Sequence, residues 1–186
     1  MITLTAPVTE PVSLIEAKLH LKLITDPSDT SAHPDDDRIE DMISAAREYC
    51  EQFCDRAFAD GSYSASGCDF GMALLYPVAS ITSVKYLDTD GAEQTLNASV
   101  YELNADLDGL RLKVGQVWPA LYAREHAVRV VFATTTPVVP FQVKAAMLLL
   151  VGTLYENRSS DNDRQTFELP LRVQDLIHWF RRRLGV

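Results

Sequence analysis

Between Asp36 and Cys54 the apolar positions Ile39, Met42, Ile43, Ala46, Cys50 and Phe53 fall at i, i+3, i+4, i+7, i+11 and i+14, a single stripe along a long helix. Upstream, "PVSLIEAKLHLKL" places Ser13 three residues before Glu16, the capping-box arrangement, and spaces Leu14, Ala17 and Leu21 helically. A first helix over roughly 13 to 23 follows. The intervening "ITDPSDTSAHPDDD" is rich in Asp, Ser, Thr and Pro and reads as a loop delivering acids to the N-terminus of the second helix, where the helix dipole favours them.

Residues 57 to 133 change period. "SITSVKYLD" runs into Thr89-Asp90-Gly91-Ala92, whose Asp-Gly step favours a tight hairpin, and "AEQTLNASVYEL" reads as the returning strand. "GLRLKV" alternates apolar and polar residues, and "HAVRVVFAT" does so more loosely. These runs predict an antiparallel β unit of five or six strands.

Pro137 and Pro140 then introduce a third helix over roughly 140 to 157. Val143, Ala146, Met147, Leu150, Val151 and Leu154 share one side of it, with Leu148, Leu149 and Tyr155 on others, so it is apolar almost all round and should be buried on several faces. Its apolar run, Ala145 to Tyr155, is too short to span a bilayer, which needs roughly 18–20 residues. After a polar loop, Pro170 leads into a fourth helix over roughly 171 to 184, striped by Leu171, Val173, Leu176, Ile177, Phe180 and Leu184. The order is an α+β fold: a helical frame of about four helices with an antiparallel β insertion between the second and third. It reads as one domain over 1–186, with N-terminal helices in 1–56, the β insertion in 57–136 and C-terminal helices in 137–186.

Composition adds mainly a charge polarity. The net charge of −9 is distributed as −8 over residues 1–60, −3 over 61–139 and +2 over 140–186. An acidic chain lacks the clustered Lys and Arg that phosphate affinity requires, so strong nucleic-acid binding is not expected. The one basic cluster is Arg181-Arg182-Arg183, at the predicted end of the fourth helix, where the dipole favours cations. The N-terminus "MITLTAPVTEPVSL" has neither a basic nor an apolar signal region, so a cytosolic site of synthesis is expected. Three cysteines are too few and too odd in number for a disulfide framework.

Catalytic chemistry finds little footing. His20, His33, His126 and His178 are scattered, with no HExxH or His-x-His. Cys50 and Cys54, four apart on one helix face, suit small core residues better than half a metal site. "DPSD" and "HPDDD" lack the glycine and distal Glu of an EF-hand. No nucleophile elbow or phosphate-binding glycine loop occurs, and a triad of Ser66, His126 and Asp69 has no spacing in its favour. No enzyme, cofactor or metal is expected.

Taken in order, "PVSLIEAKLHLKL", "DDDRIEDMISAAREYCEQFCDRAF", "YPVASITSVKYLDTDGAEQTL", "VWPA", "VPFQVKAAMLLLVGTLYENR" and "LPLRVQDLIHWFRRR" resemble the tailed-bacteriophage head-tail connector (adaptor) family. The closer likeness is to the prophage branch with a β insertion between helices two and three. The match covers nearly the whole chain, although the loop over 25–36 is longer than expected and "FATTTPVVP" lacks the glycine that often ends this strand in the family. The resemblance implies a structural, non-catalytic protein of the virion neck, present in host cytoplasm during assembly. Such proteins form a homo-oligomeric ring on the portal protein, extend the DNA channel without binding DNA specifically, and dock head-completion or tail proteins. An acidic, monomeric interaction module such as a DNA mimic is the alternative, though it would need acids spread along an elongated face.

Within that frame Trp179, about 100° around the helix from the core position Phe180, is an expected anchor for the portal or a neighbouring subunit, together with Arg181, Arg182 and Arg183. Tyr155, Glu156 and Arg158, which resemble the family's helix-three terminus, and Leu148 and Leu149 are expected at the subunit interface. Asn157 is a candidate C-cap. Trp118, before Pro119, is expected to pack on the β unit.

Overall fold

A computed structural model of the chain describes residues 2–5, 9–104, 109–135, 138–157 and 171–182. The elements run β1 (Ile2–Leu4), α1 (Leu14–His20), α2 (Asp36–Cys54), β2 (Gly61–Gly67), β3 (Val78–Leu87), β4 (Glu93–Thr95), β5 (Tyr101–Asn104), β6 (Gly109–Leu112), β7 (Val128–Thr134), α3 (Phe141–Glu156) and α4 (Leu171–Ile177), with a 3-10 turn at His178–Phe180. The α+β class and the β insertion between the second and third helices stand as expected. The backbone groups into two compact units: residues 1–9 with 59–136, and 10–58 with 137–186.

The helical unit owes its shape to the stripes. Ser13 caps α1 with its hydroxyl accepting from the Glu16 N–H, while the Glu16 carboxylate accepts from the Ser13 N–H at 2.8 Å, closing the capping box. Helix α1 ends at His20, earlier than the apolar spacing suggests, and Lys22 then takes a positive φ of 59°. Helix α2 has the predicted bounds and stops where Asp55 turns left-handed. Its buried side is broader than the apolar stripe, because Arg47 and Glu51 lie in it beside Ile39, Ile43, Ala46, Cys50 and Cys54. Those residues meet Val143, Ala146, Met147, Leu150 and Val151 of α3 and Val173 and Ile177 of α4 in one core. The fourth helix is shorter than predicted. It tightens to a 3-10 turn after Ile177 and gives way at Arg181 to extended backbone, so Arg181 and Arg182 follow a short turn rather than occupying the last turn of a long helix.

The β unit holds a five-stranded antiparallel sheet ordered β1-β2-β7-β3-β4 and a separate β5-β6 hairpin. Central β7 alternates strictly, burying Val128, Val130, Phe132 and Thr134. Register places Tyr63 opposite Phe132, and Ala65 and Val84 on either side of Val130, so one face of the sheet is apolar. Phe70 stacks on Trp118 with ring centroids 4.5 Å apart, the packing expected of that tryptophan. Two strand expectations change. Residues 2–4 form an edge strand on β2, and the returning strand after the Asp-Gly turn pairs only over Glu93–Thr95. A turn at Asn97, whose carbonyl accepts from Val100 N–H and whose side chain accepts from Ser99 N–H, breaks the run before Tyr101 joins the second sheet.

Candidate functional site

Ser66 and His126 do meet, with Oγ 3.1 Å from Nδ1, but Asp69 spends its carboxylate on the Gly71 N–H at 2.7 Å. His126 is exposed, and among the described residues no carboxylate is placed on its ring as the orienting group of a triad would be. Among the described residues no three His, Cys, Asp or Glu side chains converge as a metal site. Cys50 and Cys54 are buried free thiols; burial pushes them up to about 12 and about 11, which keeps both protonated and inert. No described helix is long and apolar enough to cross a membrane.

What the helical unit offers instead is surface. On α3 the residues Phe141, Ala145 and Leu149 recur every four positions and are all exposed, Phe141 at 88%. They span about 80° of the helix surface, and Val138, three residues ahead of Phe141, is exposed as well. Pro140 caps α3, and no acidic residue occupies its first turn. Leu148 and Tyr155 lie on the flank of α3 next to Phe141 and, partly buried, pack against the core of their own chain. The Tyr155 hydroxyl donates to Asp35 Oδ2 at 2.8 Å, tying the end of α3 to the N-cap of α2. Glu156 is exposed, and Asn157 caps α3, its side-chain amide donating to the Thr153 carbonyl at 2.8 Å. Of the residues expected at the subunit interface, Leu149 and Glu156 therefore keep a free face, while Leu148 and Tyr155 serve the chain's own packing. Arg158 and Arg183 lie outside the described residues.

After α4, Trp179 is 79% exposed with the His178 ring tilted against it at 4.5 Å. The Arg181 guanidinium sits 5.8 Å from the Phe53 ring centroid, and the Arg182 N–H donates to the Cys54 carbonyl at 2.8 Å. That backbone bond also satisfies an otherwise free carbonyl at the end of α2. Sequence reasoning passed over Phe141 and Val138. The signal was available: Phe141 precedes the buried stripe by two residues and shares its own face with Ala145 and Leu149.

Comparison of folds places this geometry. The chain superposes over its full length, and over 98% of the other chain, on a chain from the neck of an empty gene transfer agent particle computed with C6 symmetry, with a TM-score of 0.68 at 23% identity. The two chains share one fold. A chain from the virion of the native gene transfer agent particle matches at 0.67 and 24% identity, and one from the native neck computed with C12 symmetry at 0.66 and 22%, each over the whole of this chain. No protein-family model and no curated protein matches the sequence.

Proposed function

We propose that this chain is a structural head-tail connector subunit of a phage-like particle. It assembles as a ring on the portal, extends the DNA channel, and docks head-completion or tail proteins in the virion neck, after residing in host cytoplasm during assembly. It carries out no catalysis. The observation that carries this reading is the end-to-end fold match with neck chains of gene transfer agent particles, covering both units and 98% of the matched chain. The C6 and C12 symmetries of those necks support the ring. Physical chemistry supports it in two further ways. An exposed apolar strip on α3, and Trp179 beyond α4, are more apolar surface than a monomer's core requires. A net charge of −9 suits a channel wall that lets DNA slide past rather than grip it.

The test is to mix purified chain with portal rings and examine the mixture by light scattering and negative-stain microscopy. A ring of added density on one end of the portal is expected. A chain that stays monomeric with portals of its own particle, at every concentration tried, overturns the reading.

A further inference from the structure

Trp179 and Arg181 form an aromatic and basic surface whose complement lies on the same chain but cannot reach it. The exposed face of α2 carries Asp37, Asp41 and Glu48, all open to solvent. Arg181 sits over Phe53, on another flank of that helix. At 100° per residue, Phe53 is about 120–160° around α2 from those three acids. Arg38 and Arg47 are the only cations along the helix; Arg47 is buried and occupied by Glu10 and Glu51, and only its Nη2 touches Glu48, at 3.5 Å. The basic surface and the acidic face thus point in different directions from one subunit. Two complementary surfaces on different flanks of one molecule satisfy each other only between copies, head to tail, and a head-to-tail contact whose rotation closes is a ring.

We infer that the Trp179–Arg181 surface of one subunit docks on the acidic α2 face of the next copy, an inference that rests on the ring reading above. Trp179 supplies the anchor: a large side chain, mostly in water in the single chain, gains most by being covered. Arg181 against Asp37, Asp41 and Glu48 sets orientation and makes the encounter depend on salt. The polarity of the whole sequence, −8 in the first sixty residues and +2 in the last segment, follows the same direction.

A charge swap tests it on portal-templated rings. Arg181→Glu and Asp41→Lys, both at exposed positions, should each reduce ring occupancy at low salt by roughly tenfold, because a favourable pair becomes a repulsive one. The chain carrying both changes should recover most of the occupancy, since the reversed surfaces complement each other again. Trp179→Ala should lower occupancy with little change in salt dependence. Rings that form equally well with every variant, or a double variant no better than the worse single one, overturn the contact while leaving the connector reading intact. Unaltered chain that forms no ring on any portal sinks both.

Discussion

Arg47 Nη1 donates to Glu51 Oε2 at 2.7 Å across one turn of α2, with both side chains buried. The same guanidinium donates through Nε to Glu10, and Glu51 Oε1 accepts from the Phe58 N–H at 2.8 Å, so one ion pair holds the segment before α1, helix α2 and the chain leaving it. Removing only the cation strands buried carboxylate. Arg47→Ala is expected to cost about 3–5 kcal/mol in urea unfolding. Arg47→Met combined with Glu51→Gln should cost less than Arg47→Ala alone, because the amide oxygen still accepts from Phe58 and no buried Glu51 charge remains. Equal losses would show that the side-chain stem, not the charge, matters.

That pair also marks where reading by period stops. The bounds of α2 were legible because acids, an apolar stripe and a turn agree over nineteen residues. Arg47 and Glu51 lie on the same side as Ala46, Cys50 and Cys54, yet hydropathy alone assigns them to solvent, and only a partner distant in sequence, Glu10, explains burial. Strand β1 escapes for a similar reason: Ile2-Thr3-Leu4 is too short a run for its alternation to be read, and it is strand only because β2 offers an edge. Helix α4 was overextended because Phe180 and Leu184 continue the period, whereas the observed chain leaves the helix to bond the end of α2. On α3 the apolar residues were legible, but which of them face the chain's own core depended on the placement of α1, α2 and α4.

Tyr155 illustrates that last point. Its hydroxyl donates to Asp35, and its ring lies on the helical core. Tyr155→Phe is expected to lower stability by about 1 kcal/mol through the lost hydrogen bond. Ring assembly on the portal should be unchanged at protein concentrations where the variant is folded. A large assembly defect with unaltered melting would instead put the hydroxyl in a subunit contact.

Phe141 separates folding from assembly in the opposite sense. It is the first residue of α3, almost wholly exposed, in a first turn without acids. Phe141→Asp places a negative charge at the positive end of the helix dipole, so stability should be unchanged or raised by about 0.3–1 kcal/mol. If the strip with Ala145 and Leu149 is covered in the assembled neck, the same variant should assemble poorly, because the buried charge would lack a partner. Calorimetry and ring occupancy on one preparation decide it. Unimpaired assembly removes the α3 strip from the interface.

The capping box of α1 supplies a prediction in pH. Partial burial pulls the Glu16 carboxyl upward, but hydrogen bonds from the backbone N–H and hydroxyl of Ser13, with Lys144 3.5 Å away, outweigh it and hold the group below its ordinary value of 4.5. A carboxyl whose pKa is lower in the folded chain than in the unfolded one binds fewer protons when folded. Its contribution is therefore complete above pH 4.5 and is lost as pH falls through the depressed value. Glu16→Gln keeps an acceptor without the charge, so it should be less stable than the parent at neutral pH and indistinguishable from it in strong acid. Ser13→Ala removes the hydroxyl half of the box, keeps the backbone N–H that donates to the Glu16 carboxylate, and should cost about 1 kcal/mol at neutral pH. Because Glu16 then loses one donor, the Ser13 hydroxyl, the gap between parent and Ser13→Ala should narrow in part toward acid. Urea midpoints measured across the acid range for the three chains check the sign. A gap that widens on acidification would mean that the carboxylate is not stabilised by the cap.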